Sequence, residues 1–346
     1  MMAPSLLADR RLSIGLMLMD EGDTAGAASV FEQVVELEPH WLEACFALAD
    51  AMEASGQREQ AITRFRHCLT LDPSDPLGAE ARLAVLAAVA TPTHLPQAYV
   101  RTLFNQYASR FDAALLGRLG YSAPARLRAA LDMLCPEPGQ TVLDLGCGTG
   151  LAGVALRDRV SRLDGVDLSP EMIRQAELKG VYDRLVVSEL MTFLAGVPAT
   201  DAGDGRQEAV PQRYDLVVAA DVVPYLGDLT PLVAAVAGRL HPGGLFAFTG
   251  QRAEEPDDGS GACARDVPAV GAVSLTGERP APYHLGADCR FAHPLSYLRA
   301  CAAAAVMIVR ELAAVSCRTE AGRPVPGFLA VFERPAICPD SLSESD

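Results

Sequence analysis

The stretch Thr141-Val-Leu-Asp-Leu-Gly-Cys-Gly-Thr-Gly150 constrains this chain more than any other. In it an apolar run meets three alternating glycines and then enters the helix-like pattern Leu151–Leu156. Glycine adopts positive φ without steric cost, so the pattern predicts a strand, a tight turn and a helix start that present bare backbone N–H groups to a small molecule. A second strand is predicted over Leu163–Leu168, followed by Ser169 as N-cap, Pro170 at the first helical position and Glu171 in the first turn. The two strands and the helix expected between them, Leu151–Val160, form a βαβ unit. Asp167 falls 19 residues beyond Gly148, where an acid accepts hydrogen bonds from both hydroxyls of an adenosine ribose.

Two ligands fit this pattern. Gly148, Gly150 and Gly153 satisfy the G-x-G-x-x-G spacing of a dinucleotide site. Counted from Gly146 the glycines read G-x-G-x-G, with Asp144 two residues upstream. The register favours the second reading, because Gly146 holds the strand end. Asp144 suits a ligand with a positive end and would repel a pyrophosphate.

Bulk properties narrow the classes further. With 346 residues and 50% hydrophobic content, the chain is long enough for two domains. A net charge of −15 lacks the basic footprint of a nucleic-acid binder. The nine cysteines include no C-x-x-C pair, which argues against zinc and a disulfide framework, so no metal site is expected. The start carries no secretory pattern, and the apolar run Ala300–Val309 is about half the length of a membrane span. A cytoplasmic location without membrane contact is expected.

A repeat precedes the glycine turn. At a period of 34 residues, Gly22 recurs as Gly56, Ala27 as Ala61, Phe31 as Phe65, Leu37 as Leu71 and Pro39 as Pro73. Glycines at hairpin turns, small residues where helices approach and closing prolines resemble the tetratricopeptide repeat. Two repeats with a capping helix over Pro76–Val89 are expected, serving protein interaction or oligomerisation. The expected division is helical repeats over 5–90, a Pro-containing linker over 91–98, an N-terminal helical lid over 99–135, the domain of the glycine turn over 136–335 and a tail over 336–346. The lid begins with an aromatic amphipathic helix, Tyr99–Asp112, and continues with a helix over Ser122–Leu134.

Val142–Gly150 closely resembles motif I of the class I methyltransferases that use S-adenosylmethionine. The resemblance implies a Rossmann-like, doubly wound seven-stranded α/β sheet with its last strand antiparallel, preceded by the all-α repeats. It implies that Asp144, Gly146, Cys147, Gly148 and Gly150 line the amino-acid half of the cofactor. Asp167 would bind ribose, with Leu168 and Met172 flanking adenine. Glu189 and Leu190 would lie near the adenine amino group, where the family usually has Asp. Ala220 and Asp221, at the end of the predicted strand Tyr214–Asp221, would sit beside the methyl group. His241-Pro-Gly-Gly244 before a fifth strand, Leu245–Thr249, continues the family pattern.

Polar loops are expected over Ala199–Arg213 and Gln251–Pro282. Beyond them His284, Arg290, His293 and Tyr297 crowd together. Strands over Ala305–Leu312 and Gly327–Glu333 would complete the sheet. The repeats, the block Tyr107–Asp112, motif I and the block Arg290–His293 together resemble the bacterial repeat-containing methyltransferases. That implies Tyr107 and Phe111 as lid residues over the cofactor. His293, with Tyr225 and His284 behind it, is the candidate general base, and Arg290 the candidate holder of an anionic acceptor. The expected activity is methyl transfer (class 2.1.1) to a small-molecule or protein acceptor. An adaptor that binds cofactor without turnover, and an NAD-dependent oxidoreductase, are the alternatives.

Overall fold

A computed structural model describes residues 5–135, 137–196, 213–255, 282–320 and 322–336. The loop predicted over 199–213 lies outside them except for Arg213, as do 256–281 of the second predicted loop and 337–346 of the tail. The chain divides into two compact units between Leu103 and Phe104, with Leu285–Cys289 counted in the first.

The first unit is built from the helices α1 (Leu6–Glu21), α2 (Thr24–Leu37), α3 (Leu42–Ala54), α4 (Arg58–Leu71) and α5 (Ala79–Val85). Gly22 and Gly56 take φ of 85° and 81° as the helical hairpins turn. Phe31 and Phe65 are fully buried with Ala27 and Ala61. A Cβ at Gly15 would stand 2.3 Å from the Phe31 ring, so the approach of α1 to α2 requires a bare residue there. The capping helix is shorter than predicted. It starts only at Ala79, whose N–H, with that of Glu80, is capped by the Asp75 carboxylate.

The second unit begins with the end of α6 (Gln97–Tyr107) and contains a sheet with helices on both faces. The predicted single helix over Tyr99–Asp112 is broken: α6 gives way to a 3₁₀ turn over Ala108–Arg110 and a π-helical turn over Ala113–Arg118. Next come α7 (Ala123–Leu134), β1 (Gln140–Leu145), α8 (Leu151–Leu156), β2 (Val160–Asp167), α9 (Pro170–Lys179), β3 (Arg184–Val187) and α10 (Leu190–Leu194). β4 (Tyr214–Ala219), α11 (Thr230–Arg239) and β5 (Leu240–Arg252) follow. The last part holds β6 (His284–Leu285), β7 (Phe291–His293), α12 (Leu295–Ala304), β8 (Ile308–Val315), a small ribbon of β9 (Thr319–Glu320) and β10 (Arg323–Pro324), and β11 (Gly327–Glu333).

The seven-strand path runs β3-β2-β1-β4-β5-β11-β8. β1 pairs in parallel with β2 and β4, and β4 with β5, whereas β11 is antiparallel to both its neighbours. The order reverses at β1, so the carboxyl ends of β1 and β4 frame the crevice where sheets of this kind bind ligands. Phe246 and Phe248 of β5 and Phe328 and Phe332 of β11 are fully buried, and the Phe248 ring meets both β11 rings edge-on. Each contributes about 1.5–3 kcal/mol of apolar burial.

The sheet also departs from expectation: β8 covers Ile308–Val315 where Ala305–Leu312 is predicted, and two further segments differ. The Pro-Gly-Gly segment does not precede β5 but bulges within it. Tyr214 pairs with Leu240 and Leu216 with Leu245, so residues 241–244 are looped out. A Cβ at Gly244 would stand 2.9 Å from the His241 carbonyl, which is why the bulge closes on glycine. The sequence predicts a third strand over Arg184–Met191, and β3 ends at Val187 because the Glu189 carboxylate caps the N-terminus of α10.

Candidate active site

The glycine turn leaves β1 with Gly146, Gly148 and Gly150 at φ of 64°, 54° and 92°. Gly150 is the N-cap of α8. A Cβ at Gly146 would lie 2.5 Å from Val222, so the turn passes close against the segment after β4. Cys147 is buried, and burial pushes its thiol well above the usual range, which excludes a reactive thiolate.

Asp144 is fully buried. Its Oδ2 accepts a hydrogen bond from the Tyr182 hydroxyl at 2.7 Å, and its Oδ1 has no partner among the described residues. Burial raises its pKa to about 7; the Tyr182 hydrogen bond opposes that rise and the charge of Asp167 adds to it. Tyr182 escapes sequence reasoning. Its ring occupies the space that side chains at Gly150, Gly153 and Gly165 would fill, with a Gly153 Cβ only 2.4 Å away. The third glycine of the apparent dinucleotide spacing therefore makes room for a tyrosine.

Asp167 joins the turn to the next helix. Its Oδ2 accepts from the Gly148 N–H at 2.9 Å and its Oδ1 from the Ser169 N–H at 2.8 Å. Burial lifts its pKa to about 6, against these backbone hydrogen bonds. Ser169 caps α9 by accepting from the Met172 N–H. Met172 is fully buried, while Leu168 is half-buried beside Asp167. Glu189 commits both oxygens to the α10 cap, accepting from the N–H groups of Met191 and Thr192 and from the Thr192 hydroxyl. Leu190 is half-buried against the sheet core.

The segment after α6 is latched to this turn. Thr149 Oγ1 donates to Asp112 Oδ1, and Lys179 Nζ donates to Asp112 Oδ2 at 2.7 Å and to the Thr149 carbonyl at 2.6 Å. Ser169 Oγ donates to Asn105 Oδ1 at 2.7 Å. The aromatic that reaches the β4 side is Phe104, edge-on to Tyr225 at 5.1 Å and to Phe111 at 6.0 Å. Tyr107 is 44% exposed with the Arg110 guanidinium over its ring, so it sits apart from that contact.

At the end of β4, Ala220 packs against the second face of the core. Asp221 takes φ of 58°, a left-handed conformation seldom adopted by a side-chain-bearing residue, and its N–H is held by Thr249 Oγ1 at 3.0 Å. Its carboxylate pairs with Arg318 at 3.0 Å. Arg290 pairs with Glu320 at 3.0 Å and donates a hydrogen bond to Tyr225. Burial raises the Tyr225 pKa.

His293 lies elsewhere. It is fully buried, its Nε2 lies 3.0 Å from the Gly227 carbonyl, and its ring stacks on Tyr297. Burial depresses its pKa to about 4. The ring is a neutral packing group with Nδ1 unpartnered among the described residues. His284 is exposed. Among the described residues no cluster of His, Cys, Asp and Glu could hold a metal, and no helix is long and apolar enough to cross a membrane.

Residues 143–246, from β1 into β5, match the family described as a methyltransferase domain. The segment is thus similar to a methyltransferase domain. Residues 18–84 match the tetratricopeptide repeat. The chain is similar to the ubiquinone biosynthesis O-methyltransferase of Methylobacterium sp. (strain 4-46), 34% identical over 134 residues, which are 37% of this chain and 49% of that protein. It is also similar to the ribosomal protein L11 methyltransferase of Burkholderia mallei (strain NCTC 10229), 31% identical over 38% of each chain. A third relative is the aklanonic acid methyltransferase of Streptomyces sp. (strain C5), 30% identical over 43% of this chain and 64% of that protein. The chain thus spans about half or less of the first two curated relatives. Among solved structures, the magnesium protoporphyrin IX methyltransferase of Synechocystis PCC 6803 aligns over 69% of this chain and 96% of its own, at 13% identity and a TM-score of 0.46.

Proposed function

We propose that the methyltransferase domain transfers a methyl group from S-adenosylmethionine to a small-molecule or protein acceptor, and that the repeats serve protein interaction or oligomerisation. The observation that carries this reading is Asp144, a carboxylate at the end of β1 beneath the glycine turn, buried with one oxygen lacking a donor. A buried acceptor without a partner is costly, and the amino group of the cofactor would supply the missing donor. The donor set fits: three bare glycines at positive φ for the amino-acid half, and Asp167 with lone pairs left for a ribose. Leu168 and Leu190 are the half-buried apolar surfaces that an adenine would cover, with Met172 buried on α9 and Glu189 preceding Leu190 in the chain.

When bound, the cofactor supplies a sulfonium methyl group as electrophile. The protein's share of the rate is alignment and exclusion of water. The latch from Asp112 to Thr149 and Lys179 holds the segment after α6 against the turn, and Phe104 on Tyr225 covers the β4 side. His293 is not assigned a proton-transfer role, since its ring is enclosed and burial, by depressing its pKa to about 4, makes it a weak base.

Calorimetry with S-adenosylhomocysteine and with NAD tests the cofactor. Binding of the first alone, lost in Asp167→Ala, is expected; binding of NAD, or undiminished binding in that variant, would overturn the assignment. Transfer of labelled methyl groups into metabolite and protein fractions separates an enzyme from a cofactor-binding adaptor.

A further inference from the structure

We propose that Arg318 and Arg290 hold a carboxylate of the methyl acceptor at the end of β4, so that the substrate is a carboxylate-bearing molecule. This inference rests on the methyltransferase reading above and names its substrate class.

Arg318 lies just beyond β8 and is 8% exposed. Its Nη1 donates to Asp221 Oδ2 at 3.0 Å and its Nε to Glu320 Oε1 at 3.1 Å, while Nη2 is buried with no partner among the described residues. The same Glu320 oxygen accepts from Arg290 Nη1 at 3.0 Å, so one oxygen bridges the two guanidinium groups. A buried, permanently charged donor without an acceptor asks for an oxygen. A carboxylate suits it better than a phosphate. Among the described residues the cluster pairs two cations with two anions, so a monoanion disturbs it less than a dianion would. The planar fork of arginine also matches a carboxylate in two-point geometry.

The position is on the acceptor side. Asp221 is strained into positive φ and tied to Thr249, which fixes the carboxylate that orients Arg318. Tyr121 and Tyr225 both lie close enough to Asp221 and Arg318 to feel their charges, and Phe104 covers Tyr225. The unpartnered oxygen of Asp144 belongs instead to the β1 turn, held by Tyr182.

The test is thermal unfolding of the full chain loaded with S-adenosylhomocysteine, at matched ionic strength, with acetate, benzoate or cinnamate and with the corresponding amides. At least one acid is expected to raise Tm by about 2–4 °C at saturating concentration while no amide does. Arg318→Lys and the more exposed Arg290→Met should both cancel the rise with S-adenosylhomocysteine affinity retained in calorimetry. No rise with any acid, or equal rises with acids and amides, overturns the proposal. Loss of S-adenosylhomocysteine affinity in both variants would give the arginines to the cofactor's own carboxylate and overturns it too. Failure of the wild-type chain to bind S-adenosylhomocysteine sinks the methyltransferase reading itself, and this inference with it.

Discussion

The Tyr182 hydroxyl donates to Asp144 at 2.7 Å from beneath the glycine turn, and the turn is glycine-rich partly to let the tyrosine in. Tyr182→Phe therefore leaves both Asp144 oxygens without donors. A loss of about 1–3 kcal/mol in stability is expected. Urea unfolding of the two proteins without cofactor checks it; an unchanged midpoint would show that another group takes over.

Gly153→Ala pushes a methyl group to within 2.4 Å of the Tyr182 ring. Overpacking there should cost about 1–3 kcal/mol. Tyr182→Leu loses the Asp144 hydrogen bond by itself, but in that background Gly153→Ala should cost less than it does in the wild type, because the ring is gone. Gly238→Ala, in α11 with nothing within 4 Å, should gain about 0.5–1 kcal/mol instead. Thermal unfolding of the wild type and the four variants measures these differences, and equal effects at 153 and 238 would refute the steric account.

Cofactor affinity should depend on pH through Asp144 and Asp167. Burial raises their pKa values to about 7 and about 6, so in the free protein both take up protons as pH falls through that window. A cationic amino group binds the ionised carboxylate, so S-adenosylhomocysteine affinity should fall as pH drops below 7 and fall more steeply below 6. Binding at pH 6.5 should release protons, read by calorimetry in buffers of different ionisation enthalpy. In Asp144→Asn the step near pH 7 should vanish, with affinity at pH 8 weaker by about 10–100-fold for the lost charged hydrogen bond.

The latch predicts a dynamic effect. Lys179→Ala removes a cation paired with Asp112 at 2.7 Å and a donor to the Thr149 carbonyl. Amide exchange over residues 108–118 should quicken, and S-adenosylhomocysteine should dissociate about 5–30-fold faster, as for loss of a hydrogen-bonded ion pair worth about 1–2 kcal/mol. Hydrogen-exchange mass spectrometry and stopped-flow displacement report the two separately. Exchange unchanged while dissociation quickens would place Lys179 on the ligand rather than on the latch.

The sheet was legible in the sequence because its determinants are local and repetitive. Apolar runs end in glycines or acids, and the Ser169-Pro170-Glu171 helix start and the glycine turn have distinct chemistry. What escaped depends on approach in space. Nothing around Tyr182 announces that Gly150, Gly153 and Gly165 converge on its ring. Arg318 looks like any arginine in a short connection. His293 stood out by type and company, yet the fold spends it on packing against Tyr297. Glu189 shows the limit at an element end: an acid after a strand reads as a ligand contact, while the same carboxylate also starts a helix, and in this structure both its oxygens cap α10. Asp112 was visible as part of a block, but its partners Thr149 and Lys179 lie 37 and 67 residues away.

The antiparallel strand β11 sits between β5 and β8 rather than at an edge of the sheet. Every other strand of the seven-strand path is therefore synthesised before the one that joins β8 to the rest. At a synthesis rate of about 5–20 residues per second, a nascent chain carries β5 with an open edge for several seconds, and β8 with no partner in that path for about a second, before residues 327–333 exist. That interval is the chain's most exposed moment for pairing with a neighbour, and it would lengthen with any slowing of translation between the two strands.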